Sequence, residues 1–366
     1  MNNHVLFEEK ERVNSEKKGW EESEFEYLDR SNLEGAAEIR KSFNVMFAVF
    51  PDKKDIRNRL RSKDVNTYTE ACSELYVNWF LASRGWQING HPKGLSSKNK
   101  NPDFWVEHPI MGGVIVEVTT AYVDKMETRK ARGRLERFID VLRRRVFESV
   151  WLDIELRGVP NSDLPAKKII KGLRRELSYQ GSSVHYEVTA CGMEICFKGR
   201  ASSSKSGGVG SVFFGTESVD PHRGIRQAVE KKSYHYGRLS APLILVVNVV
   251  GPYYQDAFAV ESLFGDKVYV GRERGNGEII GGWINDGKGV IYSPGKEVNT
   301  NVSAVCIVSD LGSYDGKCKV RLYHHPSPIC KLNDTGIEGI EEIRLGESGR
   351  LAEVKNKLKG ERDGAG

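Results

Sequence analysis

The chain has 366 residues, 39% hydrophobic and 29% charged, with a net charge of +5. That balance is ordinary for a soluble globular protein and leaves apolar material for a sizeable core, read as one elaborated core with large insertions in preference to several domains. No apolar run is long enough to span a bilayer, and MNNHVLFEEKERVNSEKK lacks the apolar stretch of a signal peptide, so a membrane-spanning class is excluded and the cytoplasm is the expected compartment.

Residues 1–24 are rich in charge and are read as a mobile or loosely docked arm. Residues 25–66 read as helical, with Leu33 to Phe50 the main segment and Pro51 its stop. From Tyr68 to Gly85, Ala71, Leu75, Trp79 and Ala82 recur at helical spacing, with Gly85 as the C-terminal glycine and Glu74 beside the stripe. Trp86 to Ile88 reads as a short strand. Phe104 and Val106 alternate with Trp105 and Glu107, and Val114 to Val118 forms a second run, so a hairpin is expected across Met111-Gly112-Gly113.

Arg129 to Arg145 carries eight Lys or Arg residues, while Leu135, Phe138, Ile139 and Leu142 form an apolar helical face. A strand at Trp151 to Arg157, a helix at Ala166 to Tyr179 and a hairpin of Val184 to Ala190 with Met193 to Lys198 follow. The stretch GRASSSKSGGVG, Gly199 to Gly210, reads as a flexible loop and lacks the order of a phosphate-binding loop. Gly224 to Gly237 reads as an amphipathic helix, and the apolar run from Pro242 to Val250 as a buried strand. Beyond it, a short helix at Asp256 to Gly265 and strands at Lys267 to Val270, Gly289 to Ser293, Val302 to Ser309 and Cys318 to His324 are expected. The resulting divisions are 1–24, 25–66, a core over 67–250 interrupted by an insertion at 124–221, an α+β extension over 251–335 and a charged tail over 336–366.

The chemistry concentrates around Asn101 to Ala121. Glu117 lies inside an apolar strand, where a lone carboxylate calls for a metal, a partner or a chemical role. Asp103 lies fourteen residues earlier, a separation that brings both to one end of a hairpin. Two converging oxygen donors suit Mg²⁺, with Mn²⁺ as a substitute. Glu74 can add a third carboxylate, or be solvated or salt-bridged. The six cysteines include no CxxC pair, so neither a zinc site nor a disulfide framework is indicated. His324 and His325 point to opposite faces of a strand and are read as a strand end. His91 and His108 are read as surface hydrogen-bonding groups.

The order of a helix with Glu74, a strand, a Pro-Asp strand and a strand with Glu117 resembles the PD-(D/E)xK nuclease superfamily, the restriction-endonuclease-like fold. FEYLDRS (Phe25 to Ser31), Phe47 to Pro51, RLRSKD (Arg59 to Asp64), KKSYHYGRLSAPLILVVNV, SAVCIVSDL and LYHHP further resemble a large uncharacterised bacterial family with this core. The resemblance runs from about Phe25 to Leu332. It implies an αβββαβ core with a large insertion and a C-terminal β-rich extension. It also implies a metal-dependent nuclease that hydrolyses phosphodiesters, DNA before RNA, with Asp103 and Glu117 as metal ligands and Glu74 as an accessory.

The superfamily lysine would stand at position 119, which is Thr119. Either a lysine enters from another element, or the module is inactive and binds nucleic acid or a protein partner. On the Gly224 to Gly237 helix, Gln227, Lys231 and Tyr234 share one side and Lys232 and Tyr236 the neighbouring one. Lys232 is the first choice for the migrated lysine and Lys231 the second, ahead of Lys98, Lys100 and Lys125. Arg129, Lys130, Arg132, Arg143, Arg144 and Arg145 are the candidate phosphate-backbone contacts, against the plainer reading of a solvated helix face.

Overall fold

Ser23 starts the first helix by accepting from the Glu26 N–H while the Glu26 side chain accepts from the Ser23 N–H, a reciprocal cap that satisfies two otherwise orphaned donors. In the computed structural model, which describes residues 5–19, 22–98, 100–109, 112–122, 126–144, 150–202, 207–214, 221–251, 254–274, 279–309, 311, 318–333, 335, 337–346 and 350–353, this helix is α1 (Glu24–Arg30). It is followed by α2 (Glu34–Ala48), α3 (Lys53–Leu60), α4 (Val65–Ala82), β1 (Gln87–Gly90), β2 (Phe104–His108) and β3 (Gly112–Tyr122). Next come α5 (Met126–Arg143), β4 (Val150–Gly158), α6 (Ala166–Gln180), β5 (His185–Ala190), β6 (Met193–Ala201) and β7 (Gly208–Phe214). The chain continues through α7 (Pro221–Ser233), β8 (Leu243–Val250), α8 (Asp256–Phe264), β9 (Lys267–Glu273), β10 (Ile279–Asn285), β11 (Ala304–Ser309), β12 (Lys319–His324), β13 (Glu341–Leu345) and β14 (Leu351–Glu353). The class is mixed α/β. Among the described residues no helix is long and apolar enough to cross a membrane.

Two units are present: Met1–Lys17, Ser23–Val123 and Asp220–Gly366 form the first, and Lys18–Glu22 with Asp124–Val219 the second. The first holds a sheet in the order β1-β2-β3-β8-β11-β12-β13-β14. β3, β8 and β11 run parallel, and β2 pairs antiparallel with β3. β8 is buried along nearly its whole length, as a parallel strand covered on both faces should be. Val114, Val116 and Val118 join the cluster formed with Phe47, Ile56 and Leu75 of α2, α3 and α4. Residues of opposite parity on β3 face the other way, toward α7, which packs on β3 and β8.

Gly224 sets that approach, because a Cβ there would lie 2.4 Å from the Tyr122 carbonyl oxygen. Although alanine favours helix, Gly224→Ala is expected to lower the unfolding free energy by about 1–3 kcal/mol. Chemical denaturation measures this, and a stabilised variant would show that α7 does not depend on the close contact.

The second unit packs α5 and α6 on a sheet of order β5-β6-β4-β7, around Leu142, Leu152, Ile154, Leu173 and Phe197. The expected apolar face of α5 is buried at Leu135, Phe138, Ile139 and Leu142.

Several expectations are corrected. Leu6 and Phe7 of the N-terminal arm are buried, and both of their N–H groups donate to Asn44 Oδ1, at 3.0 and 2.8 Å, so the arm is docked there. Gly112 and Gly113 belong to β3, not to the turn, and the Trp105 indole lies over Gly113 where a Cβ would stand. The helix expected to end at Gly237 stops at Ser233, whose hydroxyl donates to Asn299 Oδ1 and whose carbonyl accepts from Asn301. Gly289 to Ser293 is not a strand: the Val290 and Ile291 N–H groups instead serve the carbonyls of Ser262 and Leu263 in the last turn of α8. Part of the expected Gly199 to Gly210 loop is strand, in β6 and β7, and the charged tail contributes β13 and β14 to the main sheet.

Candidate active site

The pairing of Phe104 with Val116 makes Asp103, just before β2, a neighbour of Glu117 in the middle of β3. Their contacts are reciprocal. The Asp103 N–H donates to Glu117 Oε2 at 3.2 Å, and the Val118 N–H donates to Asp103 Oδ2 at 2.8 Å. Glu117 is 2% exposed. Burial first, then the charges of Glu117 and Glu74, push the Asp103 carboxyl well above the usual carboxylate range, against the Val118 N–H and Lys232.

Lys232, in the last turn of α7, reaches this pair and donates from Nζ to Glu117 Oε1. Burial opposes its charge, but Glu117, through charge and hydrogen bond, and then Asp103 raise the ammonium above its ordinary value. Lys231, Gln227 and Tyr234 are exposed, so the side of the helix carrying Lys231 is turned away. Lys98 and Lys100 are exposed too, and Lys98 donates to the Tyr234 carbonyl at 2.7 Å. Lys125 lies outside the described residues. Thr119, half-buried on the same face of β3 as Glu117, pairs with Val247.

Glu74 is buried in α4 and held by a two-pronged contact: Arg59 donates from Nη1 at 2.7 Å and from Nη2 at 2.5 Å. Of the fates open to it, the salt bridge is realised, and its charge still acts on Asp103. Nothing in RLRSKD by itself marks Arg59 as the partner of Glu74. Tyr236 is the other residue whose part in the site exceeds expectation. It stands beyond the helix end and is buried, and burial, then the charge of Glu117 and a hydrogen bond to it, push its phenol far above the ordinary value. Glu70, one helical turn before Glu74, acts on Lys232 by charge, and that spacing was legible.

The histidines do not enter the pair. The His91 N–H donates to the Asp103 carbonyl at 2.9 Å, and the His108 ring packs on Trp86. His324 Nε2 lies 2.8 Å from Glu342 Oε2, and His325 Nε2 lies 2.7 Å from the Val298 carbonyl.

The basic helix α5 belongs to the second unit. Lys130, Arg143 and Arg144 are exposed and Arg132 is half-buried, while Arg144 bridges Asp140 at 2.8 Å. The Arg129 side chain and all of Arg145 lie outside the described residues. Asp103 and Glu117 are the oxygen donors a hard divalent cation would use, and Lys232 is a fixed positive charge beside them. No family model, curated protein or solved structure matches the chain.

Proposed function

We propose that the chain is a metal-dependent nuclease of the PD-(D/E)xK kind, which hydrolyses phosphodiester bonds, in DNA before RNA. The observation that carries this is Lys232 donating to Glu117 beside Asp103, a cation in the pocket where Thr119 offers none. The order α4, β1, β2, β3, α7, β8, with β3 and β8 parallel, supports a restriction-endonuclease-like core.

The donor set fits Mg²⁺ or Mn²⁺: buried Glu117 and half-buried Asp103, whose ionisation is opposed first by desolvation and then by the charge of Glu117, form a site that gains from a divalent cation. Asp103 and Glu117 would hold the ion, which when bound supplies a Lewis acid and eases loss of a proton from water. Lys232 places its ammonium where charge develops on the phosphate, the role a lysine at position 119 would have taken. Tyr236 stays protonated at neutral pH and steadies Glu117, and Arg59 keeps Glu74 in place. Lys130, Arg132 and Arg143 of α5, with Arg144 beyond its end, are suited to phosphate contacts, which would make binding salt-dependent.

Single-turnover cleavage in Mg²⁺ tests the assignment of the lysine. Lys232→Ala is expected to cut about 10²–10³-fold more slowly, and Lys231→Ala at the wild-type rate. Equal effects of the two would remove the observation on which the reading stands. Retained nucleic-acid binding without cutting would instead support the inactive-module reading that Thr119 suggests.

A further inference from the structure

We infer that the outer face of the second unit's sheet carries a transition-metal site, with His185, Glu187 and Cys196 as ligands to Zn²⁺. It is independent of the proposed Mg²⁺ site and uses donors of a different chemistry. His185 and Glu187 are two apart on β5 and so project to one face, and Cys196 on β6 pairs directly with Glu187. On the other side of Cys196, β4 brings Glu155 opposite it. Glu187 Oε1 lies 3.0 Å from His185 Nε2, Cys196 Sγ lies 3.7 Å from the same nitrogen, and the ligand atoms all fall within 4.8 Å of one another.

Those separations lie near what the ion needs. Tetrahedral Zn²⁺, with bonds of about 2.0–2.3 Å, holds its ligand atoms roughly 3.3–3.8 Å apart, so small side-chain rotations close the site. Imidazole, thiolate and carboxylate are the three protein donors zinc favours. The backbone register fixes their spacing before any ion arrives. Lys198 and Arg157 are near, but both bridge Glu155, at 2.5 and 3.6 Å. A divalent ion binds the Cys196 thiolate and releases the thiol proton to solvent. The fourth position is left to water, since Glu155 is engaged by Lys198 and Arg157. Cysteine spacing concealed the site because its three donors are related by strand pairing and not by a CxxC turn.

Co²⁺ is the probe, since a cobalt–thiolate bond gives a charge-transfer absorption in the near ultraviolet and cobalt held by carboxylates alone gives none. The metal-free full chain is expected to take up one equivalent with that band, and Zn²⁺ to bleach it. Cys196→Ser should abolish the band. His185→Ala and Glu187→Gln should each weaken Co²⁺ binding at least about tenfold, no less than the loss of an outer ligand partner. All three side chains sit on the solvent face of the sheet, and an unchanged circular dichroism spectrum establishes that each variant is folded. Absence of a thiolate band in wild type, or its persistence in Cys196→Ser, would overturn the inference.

Discussion

An Asp103→Asn variant is expected to lose at least about 1000-fold in cleavage rate, about 4 kcal/mol of transition-state stabilisation, while becoming more stable at neutral pH in EDTA. The two effects share one cause. Asp103 must ionise where desolvation opposes its charge first, then the charges of Glu117 and Glu74, so its folded-state pKa stands above the unfolded value. Below the ordinary carboxylate range Asp103 is protonated in both states and its favourable contribution is fully present. As pH rises through the folded pKa that contribution is lost, because the folded state must give up a proton it holds more tightly. Asparagine keeps an oxygen for the Val118 N–H and carries no charge. Unfolding midpoints of both proteins across pH 4–8 should therefore diverge upward for the variant, a pattern expected where function and stability compete. A variant less stable than wild type at every pH would show that Asp103 is a structural cap.

Arg59→Ala is expected to lower the unfolding free energy by about 3–5 kcal/mol, the usual cost of leaving one member of a buried pair uncompensated. Glu74 has a side-chain exposure of 9% and its bridge to Arg59 is 2.5 Å long, so loss of the guanidinium leaves a largely buried carboxylate without its partner. Without that partner, Glu74 would also press harder on Asp103. Adding Glu74→Met to Arg59→Ala should recover most of the loss, since no buried charge then remains. Denaturant titration of wild type, the single variant and the double variant separates these outcomes. A loss below about 1 kcal/mol in the single variant would mean the pair behaves as a surface bridge.

Local signals were enough for the elements that build the site. Helical periodicity found α4, an alternation of period two found β2, and an unbroken apolar run found β8, because each depends on the residues of one segment. Periodicity only put Lys231 and Lys232 on neighbouring sides of α7; the preference for Lys232 rested on its place one turn before an expected helix end at Gly237, whereas the helix ends at Ser233. What escaped depends on contacts distant in sequence. Arg59 and Glu74 lie fifteen residues apart on different helices, and neither segment alone indicates their pairing. β13 looked like a charged tail because Glu342 reads as surface. In the fold it is buried, accepting from the Thr335 N–H at 2.8 Å and lying against His324. Gly289 to Ser293 looked like a strand by composition, but its N–H groups are taken by the end of α8.

We propose Asp103, Glu117 and Lys232 as one metal-dependent cutting site. The most direct measurement incubates the wild-type chain with single- and double-stranded DNA and RNA in Mg²⁺ or Mn²⁺, then in EDTA, then after the metal is restored. Cutting that stops in EDTA and returns with the metal is the predicted result. No cutting of any substrate with either metal, alongside salt-dependent binding, would contradict it and leave a nuclease-like module that binds without hydrolysis.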